Sequence, residues 1–180
     1  MNACKKIVAI GPESTGKSSL CFDLAKHYNT EWCPEYAREY LLRNGKNYTY
    51  DDLLLIAKGQ LDLEDSFTTD SRLATSDFLF IDTDMYVMKV WCEYVFGKCH
   101  RYILDQIVNR KYDLYLLCNT DLPWTPDELR EYPDKKRRDQ LFSIYKDLMI
   151  NQDTPWIEIT GPGEGRTAIA IEQIDKLFKK

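Results

Sequence analysis

The sequence predicts an α/β sandwich in which a parallel sheet is covered on both faces by helices. Three observations predict it. Short apolar or β-branched runs alternate with longer segments of helical periodicity along the 180 residues, as in buried parallel strands joined by crossover helices. A glycine-bearing loop, Gly11 to Ser18, separates the first such run from the first helical segment. Glu35, Asp82 and Asn119 each stand just after a later run. Right-handed crossovers bring all the strand carboxyl ends to one edge, where ligands bind.

In chain order, Lys6 to Ile10 is a buried strand, followed by the loop and a helix from about Lys17 to Tyr28. Leu20, Leu24 and Tyr28 recur at four-residue spacing beside Cys21 and Ala25, giving that helix one apolar face. Thr30 to Cys33 is a weaker strand stopped by Pro34. Thr49, ahead of Asp51 and Asp52, reads as the N-cap of a helix running to about Thr68. Phe78–Ile81, Leu114–Cys118 and Trp156–Thr160 complete the strands, and a last helix spans roughly Thr167 to Lys179. No repeat or Pro/Gly/Ser linker divides the chain, so residues 1–180 are expected to form one domain.

Composition narrows the function classes. Hydrophobic residues make up 44% and charged residues 29%, which excludes a disordered chain. The net charge of −5 argues against a nucleic-acid coat, because phosphate neutralisation dominates that kind of affinity. No apolar run approaches the ~18 residues that a membrane span needs, and the N-terminus shows no signal peptide. A cytoplasmic protein is expected, with its six cysteines as reduced thiols. Cys99-His100 is a pair of soft ligands with no second pair nearby, too few for a zinc site.

Gly11-Pro12-Glu13-Ser14-Thr15-Gly16-Lys17-Ser18 satisfies G-x-x-x-x-G-K-[ST] in full. The glycines let successive N–H groups turn toward a polyphosphate. Lys17 is placed to reach the β- and γ-phosphates, and Ser18 to offer its hydroxyl to Mg²⁺. With Ser14, Thr15 and Ser19 they form the expected nucleotide site, while Glu13 reads as a solvated loop residue. Phe78 to Asp82 is an apolar strand ending in an acid, the Walker-B pattern, which makes Asp82 the second Mg²⁺ ligand. Asp84 either shares the site or caps the helix beginning near Met85.

After the second strand, Glu35 is placed to accept a proton from a substrate hydroxyl, and Arg38 to hold a phosphate. Tyr36 either joins them at the substrate or packs below with Tyr40. Asp121 to Arg138, with two Pro-led turns and a charged stretch, reads as a lid whose Arg130 and Arg138 stabilise transferring charge. Trp124 within it offers a stacking surface for a flat or cationic ring. A GTPase switch would carry N-K-x-D after the fourth strand, and Asn119-Thr120-Asp121 does not fit it.

Gly11 to Ser18, Glu35-Tyr36-Ala37-Arg38-Glu39-Tyr40 and Phe80-Ile81-Asp82-Thr83-Asp84 together resemble the ribosylnicotinamide kinase domain of the NadR family, an AAA-like ATPase domain. Tyr112 to Leu117, Asp121 to Trp124, and Leu129-Arg130 with Arg138 eight residues on extend the resemblance nearly end to end. It implies a P-loop NTPase three-layer sandwich with a five-stranded parallel sheet and a lid. It also implies transfer of the ATP γ-phosphate to the ribose 5′-hydroxyl of nicotinamide riboside. Lys17, Ser18 and Asp82 would then hold ATP and Mg²⁺, Arg130 and Arg138 would be lid arginines, and Trp124 would lie beside the pyridinium. Val87-Met88 departs from a Thr-Thr pair of some relatives, and Glu128 from a frequent glycine. Family members commonly carry an adenylyltransferase domain and a DNA-binding segment, and those activities are expected to be absent here. The expected partner is a small-molecule nucleoside, with a homo-oligomer left open.

Overall fold

The computed structural model describes residues 4–69 and 76–179. Its elements run β1 (Lys5–Ile10), α1 (Lys17–Tyr28), β2 (Trp32–Cys33), α2 (Tyr36–Asn44), α3 (Tyr50–Thr69) and β3 (Phe78–Asp82). There follow α4 (Met85–Phe96), α5 (Arg101–Asn109), β4 (Leu114–Cys118), α6 (Lys135–Ile150), β5 (Trp156–Ile159) and α7 (Gly163–Phe178). The strands form one five-stranded sheet of order β2-β3-β1-β4-β5, every pair parallel.

Alternation along the strands makes the three layers. Ile7 and Ala9 of β1 face Leu20, Leu24 and Ala25 of α1 and Ala170 and Ile174 of α7. Val8 and Ile10 face Val87 and Val90 of α4 and Leu141, Tyr145 and Met149 of α6. A satellite core joins α2, α3, α4 and α5 around Leu53, Ile56, Met88 and Ile103. Because both faces are covered, β3 and β4 are buried at every position and read as unbroken apolar runs rather than alternating ones.

Boundaries differ from expectation in identifiable places. β2 begins at Trp32, since Thr30 turns its hydroxyl onto the Phe78 carbonyl at 2.7 Å. Thr49 caps α3 reciprocally: the Asp52 N–H donates to Thr49 Oγ1 at 3.3 Å, and the Thr49 N–H to Asp52 Oδ2 at 2.7 Å. The last helix starts four residues early, at Gly163. Lys135 to Arg138 belong to the first turn of α6, capped by Asp134, so the irregular segment read from the sequence as a lid ends at Asp134. Among the described residues no helix is long and apolar enough to cross a membrane.

Candidate active site

The carboxyl edge of the sheet opens into one cleft of about 370 Å³. Its floor is the loop between β1 and α1. Gly11 has φ 137°, and a Cβ there would sit 2.7 Å from the Cys118 carbonyl oxygen of β4, so only glycine fits. Gly16, at φ 79°, precedes the first turn of α1 and leaves its N-terminus open toward the cleft. Inside the loop, Thr15 Oγ1 donates to the Pro12 carbonyl at 2.7 Å, and Lys17 Nζ to the same oxygen at 2.9 Å. Arg166 of α7, itself buried, ties the loop down by donating to the Thr15 carbonyl at 2.9 Å. It also pairs with Asp121, whose other oxygen accepts the Gly161 N–H, so that carboxylate is committed within the protein. Gly11, Ser14, Thr15, Gly16, Lys17, Ser18 and Ser19 all line the cleft.

Asp82, at the end of β3, is fully buried and accepts from Ser18 Oγ at 2.5 Å. Its Oδ1 has no hydrogen-bond partner among the described residues. An orphaned carboxylate oxygen beside a hydroxyl is a donor set that suits a hard divalent cation. Burial raises the Asp82 carboxyl above its ordinary range, against the pull of Lys17 and the Ser18 hydrogen bond.

Glu35 occupies the N-cap position of α2 yet makes no capping hydrogen bond, and its side chain lines the cleft. Burial, reinforced by the Asp82 charge and opposed by Lys17 and Arg38, pushes its carboxyl up to about 7. Arg38, one turn on, donates to both oxygens of Asp127 of the lid at 3.3 and 3.0 Å. Arg130 lines the cleft and donates to the Thr125 carbonyl within the lid.

Four sequence candidates lie elsewhere. Asp84 is the N-cap of α4: its carboxylate accepts from the Tyr86 and Val87 N–H groups at 2.9 and 3.3 Å and from Tyr115 OH at 2.9 Å, away from the cleft. Tyr36 packs its ring over Gly59 of α3, while its N–H donates to Gln60. Arg138 shares the inward stripe of α6 with Leu141, Tyr145 and Met149; it is buried, reaches toward the Leu122 carbonyl at 3.5 Å and does not line the cleft. Trp124 lies over the phosphate loop with its indole N–H toward Glu13 at 3.5 Å, and it does not line the cleft.

Away from the phosphate loop the cleft is walled by Val87, Val90, Trp91 and Tyr94 of α4, Leu141 and Tyr145 of α6, and Leu129 to Tyr132 of the lid. Trp91 donates its indole N–H to Tyr48 OH at 2.9 Å, and Tyr48 OH donates to Glu131 at 3.1 Å. Tyr94 and Tyr132 meet edge to face at 5.6 Å. The spacing of Val87, Val90, Trp91 and Tyr94 marks one helical stripe, but α4 is apolar on its other faces too, so periodicity does not single it out. Glu13 is not the solvated loop residue that the sequence suggests. Its carboxylate accepts from the backbone N–H groups of Glu131 and Tyr132 at 2.9 and 2.5 Å.

Residues 6–166 match the AAA domain family. The chain belongs to that AAA-domain family. Among curated relatives, the trifunctional NAD biosynthesis/regulator protein NadR of Escherichia coli K12 is 25% identical over 159 residues, covering 86% of this chain. The chain spans only 38% of that relative's length. A NadR protein crystallised in complex with NR superposes with a TM-score of 0.79 at 22% identity, over 99% of this chain and 52% of the other. A NadR structure in complex with NAD and AMP-PNP gives 0.71 at 20%, over 97% and 49%. Thymidylate kinase from Candida albicans gives 0.66 at 17%, over 97% and 92%. This AAA-domain chain therefore has the all-parallel α/β P-loop fold shared by NadR and thymidylate kinase.

Proposed function

We propose that this chain transfers the γ-phosphoryl group of ATP to the 5′-hydroxyl of nicotinamide riboside, forming nicotinamide mononucleotide and ADP. The observation that carries the proposal is the single cleft in which the phosphate loop, Glu35 and an aromatic-walled acceptor space are contiguous. A solved NadR relative holding NR supports the acceptor. The relative crystallised with AMP-PNP, together with the phosphate loop, supports ATP as donor.

Each residue has a task in this reading. Glu35 takes the proton of the hydroxyl as the new O–P bond forms and the bond to the β-phosphate oxygen breaks, with the electron pair leaving on ADP. A carboxyl held near 7 is matched to that task, stronger as a base than an ordinary carboxylate and about half ionised at neutral pH. Lys17 and Arg130 face the transferring group with positive charge placed in advance. Ser18 and Asp82 are the residues that would hold Mg²⁺, which neutralises phosphate charge when bound. At the far end, Trp91 and Tyr94 line the cleft with Glu131, whose carboxylate is linked to Trp91 through Tyr48, a setting suited to a flat ring with a fixed positive charge.

The test is ADP release with Mg-ATP, with and without a panel of nucleosides that includes nicotinamide riboside. Stimulation by nicotinamide riboside above the others supports the proposal. Acceptor-independent hydrolysis, or turnover with GTP alone, overturns it. In the same assay Asp82→Asn should leave the circular dichroism unchanged and abolish transfer.

A further inference from the structure

A carboxylate inside an anion-binding loop opposes the ligand that the loop is built to hold, because like charges at close range raise each other's energy. Glu13 is such a carboxylate, two residues into the loop between Gly11 and Gly16. Its contacts point to a different use. The lid from Asp121 to Asp134 has no helix or strand of its own, so side-chain and backbone contacts alone set its position. Both oxygens of Glu13 accept from the lid backbone, from Glu131 N–H at 2.9 Å and Tyr132 N–H at 2.5 Å. The indole N–H of Trp124 approaches the same carboxylate at 3.5 Å. Next in the loop, Ser14 Oγ accepts the Thr125 N–H at 3.0 Å. The Arg38–Asp127 ion pair holds the lid's other flank to α2.

We infer that Glu13 is a positioning residue whose carboxylate docks the lid onto the phosphate loop and thereby completes the acceptor wall. Tyr132 and Leu129 line that wall only while the backbone N–H groups of Glu131 and Tyr132 are held. The shape of the phosphate loop and the closure of the acceptor space are in this way one mechanical unit. The inference rests on the kinase reading for its consequence in turnover, but not for the docking itself. Charged acceptors for backbone N–H groups are among the stronger hydrogen bonds, and a paired set on one carboxylate fixes orientation as well as distance.

Two arms test it on the full chain. In the first, amide hydrogen exchange is followed without nucleotide. Glu13→Gln keeps the size but only one acceptor oxygen, and Glu13→Asp keeps the charge but withdraws it by one methylene. Each should speed exchange at Glu131 and Tyr132 by about tenfold, with amides of β1 and β4 unchanged. Unchanged protection in both variants overturns the inference. In the second arm, Glu13→Gln should raise the KM for nicotinamide riboside about tenfold while the KM for ATP stays within about twofold. A fall in kcat with the acceptor KM unmoved would make Glu13 part of the chemistry rather than of the lid, and so also overturns it. If the wild-type chain phosphorylates no nucleoside, the kinase reading fails and the exchange arm still decides the docking. Should Glu13→Gln prove unstable by thermal melt, Glu13→Asp carries both arms.

Discussion

Replacing Glu35 with Gln separates chemistry from stability in opposite directions. The Glu35 carboxyl lies near 7 because burial and the Asp82 charge outweigh the attraction of Lys17 and Arg38. As the base, it must be ionised, so kcat/KM for the acceptor should rise with pH and level off above about 7. One unit below that value about a tenth of the enzyme is competent, which predicts about a tenfold loss of rate. Glu35→Gln should lower kcat by about 10²- to 10⁴-fold, the usual contribution of a positioned base, and flatten the profile.

Linkage gives the stability side of the same substitution. A carboxyl raised in the folded state binds its proton more tightly there than in the unfolded chain. The charged form therefore costs stability as pH rises from the ordinary value of 4.5 through about 7. The Gln variant lacks that cost. Its melting temperature should match the wild type below pH 4.5 and exceed it above pH 7. ADP-release assays and thermal melts across that pH range read the two effects together. A variant that keeps turnover within about threefold of wild type, with the same pH profile, refutes the base assignment.

Four further outcomes follow from the packing. Asp84→Ala removes the cap of α4 and strands the buried Tyr115 hydroxyl, and should cost about 2–4 kcal/mol in urea unfolding. Asp84→Asn keeps one acceptor oxygen for the helix cap and puts an amide donor opposite Tyr115 OH; because burial raises Asp84 to about 7, its stability relative to wild type should improve as pH rises toward that value. Gly59→Ala places a methyl 2.1 Å from the Tyr36 ring and should destabilise by about 1–3 kcal/mol, reversing the usual helix preference for alanine. Trp91→Ala should raise the acceptor KM about tenfold and Trp124→Phe by less than about twofold, since of these two Trp91 lines the cleft and Trp124 does not; equal effects would contradict that placement.

The phosphate loop and the sheet were legible because their chemistry constrains sequence directly. Gly11 admits no side chain against Cys118, and β1, β3 and β4 must be apolar on both faces. The acceptor wall was not legible for a related reason. A helix such as α4, which packs Val87 and Val90 on the sheet, Met88 and Cys92 on α3 and α5, and Trp91 and Tyr94 on the cleft, carries apolar residues all round. The lid is harder still. Trp124 and Tyr132 are both aromatic residues in an irregular segment, and only the route of the backbone past Glu13 decides which one lines the cleft.

Asp82 and Asp84 show most clearly where spacing stops being informative. Two residues apart on an extended strand, their side chains would share a face, and both would point into the cleft. They do not, because Thr83 between them adopts φ 79° while its N–H still donates to the Ala9 carbonyl at 3.2 Å. A β-branched residue in the left-handed region costs on the order of 1–3 kcal/mol, and it persists only where its surroundings over-determine it. Thr83 is buried, with β1 gripping its N–H on one side and the cap of α4 beginning on the other. The turn leaves Asp82 at the cleft with one oxygen unpartnered and sends Asp84 inward, where three donors satisfy it. One strained residue thus divides two identical side chains: one meets the cleft with an unpartnered oxygen, and the other anchors the helix that walls that cleft.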